Sequence, residues 1–226
     1  MATTPTWNQT RRAVIRDALG IGIASGAYAL SFGAISTTAG LSIVQTCAIS
    51  ILMFTGASQF AFVGVIAAGG SAWAGAATAA LLGTRNALYG LRLVSLLEVA
   101  GLRRMIASHL IIDETTAMAI ARDTPKAGRL AFWATGFVLF ALWNLGTVIG
   151  ALATQVLPDP RALGLDAAPP AAFLALIAPR LRAGEPMAVA MAAGVVALVL
   201  VPFVPPGVPL LVVAVLVVLY GLRPAR

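Results

Sequence analysis

The chain has 226 residues, of which 60% are hydrophobic and only 10% charged, and its mean hydropathy is +0.94. That composition excludes a soluble domain, which would have to expose large apolar patches, and predicts an all-α, polytopic helical membrane protein. The net charge of +7 comes from basic groups lying between apolar runs, so it reads as a topology signal and not as a nucleic-acid surface, for which no aromatic-interleaved basic stripe is present.

Arg11, Arg12 and Arg16 precede the first apolar run, 18–38. With Ala27-Tyr28-Ala29 they imitate a twin-arginine leader and its cleavage site. The apolar segment continues through Leu30, Phe32 and Ile35, and the rest of the chain is itself membrane-spanning. The arginines are therefore expected to hold residues 1–17 on the cytoplasmic side. Ser31, Gly33, Ser36, Thr37 and Thr38 give this helix a small, hydroxylic face suited to close helix contacts.

The second run, 43–70, contains Cys47, whose isolation excludes an internal disulfide or a Cys-based metal site. Near its middle, Phe54-Thr55-Gly56-Ala57-Ser58-Gln59-Phe60 interrupts the apolar pattern. Such a break exposes half-helix amides that can bind a carboxylate, around Gly56, Ser58 and Gln59. The same residues also suit close packing, with Gln59 as interhelical glue.

In the stretch 72–99, Arg85 stands at membrane depth. A guanidinium there costs roughly 3 kcal/mol and should face protein or a wet cavity. Parity of the basic loops requires this stretch to return to its starting side, which one straight helix of about 44 Å would not do after two crossings. A break at Gly83-Thr84-Arg85-Asn86 is therefore expected, giving helical pieces 72–84 and 87–99. Arg85, Tyr89 and Arg92 would share one stripe, with Arg92 snorkelling to the cytoplasmic surface.

Residues 100–129 form a polar connection with Leu102, Met105, Ile106 and Leu110 on one face, as in a helix lying at the interface. His109, the single histidine, stands one turn from Asp113. Asp113 and Glu114 are candidates for proton coupling if partly buried, or else a solvated face or partners for Arg103, Arg104 and Arg122. The run 130–157 carries Trp143 and Asn144, the latter needing a partner in hydrocarbon. A loop at 158–166 reads as exterior, a short run 169–179 returns to Arg180 and Arg182, and 187–204 and 208–222 go out and back.

The expected architecture has about 6–8 membrane segments, some short or broken, with both termini cytoplasmic. One transport domain covers 18–222, as halves 18–99 and 130–222 joined by 100–129, with a cytoplasmic tail at 223–226. The halves share a weak repeat, Gly40-Leu41-Ser42 against Gly164-Leu165-Asp166 followed by Phe-containing segments, which an even number of spans per half would make parallel.

Ser31-Phe32-Gly33, Gly40-Leu41-Ser42, Thr55-Gly56-Ala57-Ser58-Gln59-Phe60, Arg85 with Leu88-Tyr89, Asp113-Glu114 and Trp143 through Gly150 stand in an order and spacing that resemble the AzlC family. The resemblance runs from about residue 15 to 222. It implies a multi-pass bacterial inner-membrane permease that exports branched-chain amino acids by secondary transport, with a small AzlD-like membrane subunit as partner. Many relatives have an Asn two residues before the Arg and a His after it; here these are Gly83 and Asn86, so no titrating group stands at that second position.

A zwitterion with an apolar side chain needs a cation or helix N-terminus, an acceptor for its ammonium and a greasy pocket. The expected substrate-binding residues are Arg85, Gln59, Ser58, Gly56, Asn86, Tyr89, Trp143 and Asn144, with Asp113 and Glu114 as coupling groups. No catalytic residue, metal ligand or cofactor is expected. The competing readings are a pore-type channel, which needs a continuous polar lining, a structural membrane subunit, and an intramembrane enzyme, which lacks metal-ligand or nucleophile-base pairs.

Overall fold

A computed structural model of the chain describes residues 6–156, 174, 178, 181 and 184–223. The expected loop 158–166 lies outside these residues, as does the run 169–179 except for two positions. The described residues form helices without strands: α1 (Trp7–Thr38), α2 (Ile43–Leu52), α3 (Ala57–Ala67), α4 (Ala72–Leu97), α5 (Gly101–His109), α6 (Asp113–Ile120), α7 (Pro125–Val156), α8 (Gly184–Leu200) and α9 (Val208–Gly221).

Two of these helices are long and apolar enough to cross a membrane, α1 and α7, each of 32 residues. They pack side by side and parallel. At the end bearing Arg11 to Arg16, Arg122 pairs with Asp17 at 3.1 Å and Lys126 lies over the Trp7 ring. At the far end the Thr37 and Thr154 hydroxyls are 2.9 Å apart. The seam is made of small residues, so the backbones approach closely. A methyl group at Gly146 or Gly150 would collide with the carbonyl oxygens of Gly26 and Leu30.

With this common axis as the membrane normal, the intervening chain makes two re-entrant hairpins of opposite direction. From the far end, α2 descends to mid-depth, where Ser50 donates to Thr147 at 3.1 Å and Phe54 stacks edge-on against Phe140. α3 climbs back antiparallel to α4, with Ser58 facing Gly83 and Phe62 facing Gly75. α4 then runs the whole depth to the basic end, where the Leu96 carbonyl accepts from Arg129 at 2.7 Å.

From the basic end α5 rises until His109 meets Phe54 and Phe140, with ring centroids 6.1 and 5.7 Å away. α6 descends again, taking Met118 into a cluster with Val14, Ala18 and Ala131. Thus α1 with α2–α3 and α4 with α5–α6 are inverted units of the same form: one long helix, then a hairpin whose tip stops at mid-depth.

This topology corrects two expectations. The helix is unbroken through Gly83 to Asn86, and the broken, re-entrant geometry lies in 43–67 and 101–120 instead. Parity still holds, because neither hairpin crosses: α1 goes out, α4 returns, and the basic groups at 11–16 and 122–129 share an end. The expected interfacial helix is an arm of the second hairpin. Its Leu102 and Met105, each 71% exposed, suit lipid contact as well as they suit an interface. α8 and α9 form an antiparallel pair joined at the far end, with Tyr220 donating to Glu185 at the other.

Candidate functional site

Both hairpin tips are built alike, because a chain that reverses inside a membrane must satisfy its backbone internally. At the first tip Gly56 adopts φ +61°, a left-handed conformation that favours glycine. Gln59, fully buried, accepts from the Gly56 amide at 3.0 Å and donates to the Ile49 carbonyl at 3.2 Å. At the second tip Thr115, also fully buried, accepts from the Ile112 amide at 3.0 Å and donates to the Leu110 carbonyl at 2.7 Å. In each case the third residue of the returning helix staples the turn to the arm before it. Gln59 is therefore the glue expected in its packing reading.

A cavity of about 340 Å³ opens where the two tips meet α4, within the range of small-molecule sites. Its polar lining is Thr55, Ser58, Asn86, Ser108 and His109, and its apolar lining includes Phe54 and Ile111. The hydroxyl of Ser58, 1% exposed, the hydroxyl of Thr55 and Oδ1 of Asn86 are buried without a hydrogen-bond partner in the described structure. Buried polar atoms are almost always paired, and these three stand together on one cavity wall, where a polar ligand entering the cavity can reach them. Gly56, the N-cap of α3, has no side chain to cap the helix, and Gln59 takes only the Gly56 amide, so the positive end of α3 reinforces the site for an anionic group.

The expected site residues divide between this cavity and the packing around it. Ser58 and Asn86 line the cavity, and Gly56 forms the turn beside it. Arg85 does not line it: its guanidinium pairs with Asp113 at 2.8 Å, and Tyr89 donates to the other oxygen of the same carboxylate at 2.7 Å. Arg85 and Tyr89 do share a stripe, and it holds the second hairpin to α4. Arg92 is exposed toward the basic end, as expected for a snorkelling side chain.

Trp143 sits in a ring cluster with Tyr28, Phe32 and Phe60 at 5.8, 6.2 and 6.4 Å. Asn144 donates to the Phe140 carbonyl of its own helix at 2.8 Å. Neither lines the cavity. His109 and Asp113 do not face each other as one helix would place them, because α5 ends at His109 and α6 begins at Asp113. Asp113 and Glu114 are separated in role: Asp113 holds Arg85 and Tyr89, whereas Glu114 is half-buried and has no cation at ion-pair distance among the described residues. Glu114 lies within electrostatic reach of Tyr28 and Arg85.

Thr55, Ser108 and His109 were not among the expected site residues. Thr55 was legible as part of the Phe54 to Phe60 interruption, but Ser108 and His109 reach the site only because α5 turns inward.

Residues 20–157 match the profile of a family described as AzlC protein. This range spans both hairpins and most of α1 and α7. Over 141 residues the chain is 32% identical to the Inner membrane protein YgaZ of Escherichia coli (strain K12), covering 60% of this chain and 58% of that relative. The chain thus matches less than two thirds of that protein's length. No solved structure matches.

Proposed function

Since the chain belongs to the AzlC family of membrane proteins, whose role is transport-related, we propose that it is a secondary transporter of apolar amino acids with its substrate site at the junction of the hairpin tips. The carrying observation is the cavity walled by the polar atoms of Thr55, Ser58 and Asn86, which have no partner among the described residues, beside the N-terminus of α3. The α3 amides and Ser58 receive the carboxylate, Asn86 Oδ1 accepts from the ammonium, and Phe54 with Ile111 surrounds the side chain. Discrete polar groups at mid-depth between inverted units favour binding and alternating access over a continuous pore.

In this reading Arg85 is a positioning residue that acts through Asp113. Glu114, with no cation at ion-pair distance among the described residues, is the group that carries a coupling proton. The direction is export of branched-chain or similar amino acids across the bacterial plasma membrane, with a small AzlD-like subunit completing the carrier.

The test is counterflow of labelled leucine, valine and methionine in proteoliposomes, with and without such a subunit. Ser58→Ala and Asn86→Leu should each weaken leucine binding by about tenfold, the effect of losing one hydrogen bond to a charged group. Folded protein that moves none of the three amino acids in either preparation would end this reading.

A further inference from the structure

At the basic end, α4 stops at Glu98, whose φ of +50° makes it the one non-glycine residue with positive φ among those described. The bend brings the start of α5 beside α7, and Glu98 pairs with Arg129. Between the two helices lies an open trough of about 480 Å³ whose lining changes character along its length. Its charged end carries Arg103, Arg129 and Glu98, and toward mid-depth it is lined by Ile106, Trp133 and Phe137.

Spacing produces this gradient. Arg129, Trp133 and Phe137 recur every fourth residue, so α7 presents them as one stripe. The Trp133 and Phe137 rings stack with centroids 5.6 Å apart, and Phe137 is 53% exposed. Glu98 neutralises one of the two guanidinium groups, and Arg103 has no acidic partner among the described residues. A second hollow, lined by Arg92, Arg122 and Arg129 together with Glu98 and Asp123, shares the Glu98 to Arg129 pair with the trough.

The geometry points to an anionic phospholipid bound here, with its phosphate between Arg103 and Arg129 and one acyl chain along Ile106, Trp133 and Phe137. A free phosphate would use only the head of the trough. A zwitterionic lipid carries an ammonium that cancels its phosphate, so it leaves the net positive charge of the trough uncompensated. With Glu98 engaged by Arg129, the lining keeps one net positive charge beside the apolar stripe, and an anionic lipid matches both, as in basic pockets between membrane helices. Bound there, it fastens the base of the α5–α6 hairpin to α7.

The site is tested on the full chain in detergent by native mass spectrometry with equal phosphatidylglycerol and phosphatidylethanolamine, and separately with inorganic phosphate. Phosphatidylglycerol adducts should be preferred, and Arg103→Gln should lower them by about fivefold, the effect of one basic residue at a lipid surface. Phe137→Ala, at an exposed position, should weaken both lipids, and phosphatidylglycerol should raise the thermal midpoint of wild type but not of Arg103→Gln. Equal retention of the two lipids, an unchanged Arg103→Gln, or binding of inorganic phosphate that matches the lipid would overturn the assignment.

Discussion

Arg85→Met is the most informative perturbation of the core, because two accounts of this cation predict opposite results for a second change. Its guanidinium lies 2.8 Å from Asp113, and the two side chains are 28% and 23% exposed. With charge centres near 4 Å and an effective dielectric constant of about 20, the attraction is about 4 kcal/mol. Removing one partner of such a pair costs roughly 3–5 kcal/mol, because it strands the other charge. Arg85→Met should therefore lower the thermal midpoint in detergent substantially. Arg85→Met with Asp113→Leu should recover most of the loss, since replacing both charges by apolar groups is nearly neutral. Leucine binding, read by scintillation proximity, should recover with the fold in the double variant if Arg85 acts only by holding the hairpin. Additive losses of stability, or a stable double variant that no longer binds leucine, would refute this reasoning and return Arg85 to the substrate carboxylate.

Gln59→Leu leaves the Gly56 amide and the Ile49 carbonyl without their partner, so it should cost about 1–3 kcal/mol per group and abolish transport through loss of the tip; the check is the melting curve in detergent. Gly150→Ala drives a methyl into the Leu30 carbonyl and should destabilise by roughly 1–3 kcal/mol, whereas the same change at Gly194, which has open space around it, should be nearly silent in the same melting assay. Glu114→Gln should retain leucine exchange yet lose accumulation driven by a pH gradient. Proteoliposomes carrying an internal pH dye would show the matching loss of leucine-evoked proton movement, and unchanged proton movement would remove Glu114 from the coupling role.

The interruption at Phe54 to Phe60 was readable because glycine and three polar side chains cannot belong to an ordinary lipid-facing helix. The same logic failed at Gly83 to Asn86. There Arg85 is answered from outside the helix by Asp113 and Thr84 from within it by the Leu81 carbonyl, so α4 stays intact. Conversely, Leu110 to Ile112 carries no polar or glycine signal, yet the chain reverses there, stapled by Thr115. A turn whose backbone is satisfied by a threonine three residues later leaves almost no trace in hydropathy.

Composition, the spacing of basic groups and the Gly-Ala-Ser-Gln-Phe motif determined by themselves a helical membrane protein of the AzlC family, with the basic loops on one side and a broken segment near residue 56. These are properties of local polarity, which the bilayer sorts without reference to tertiary contacts. Only the tertiary structure decided that the two hairpins enter from opposite ends, that Arg85 pairs with Asp113 while Glu114 has no cation at ion-pair distance among the described residues, and that Ser58, Asn86 and His109 meet around one cavity. Those facts depend on which distant side chain satisfies each buried polar group, and partners more than twenty residues apart leave no periodic mark in a sequence.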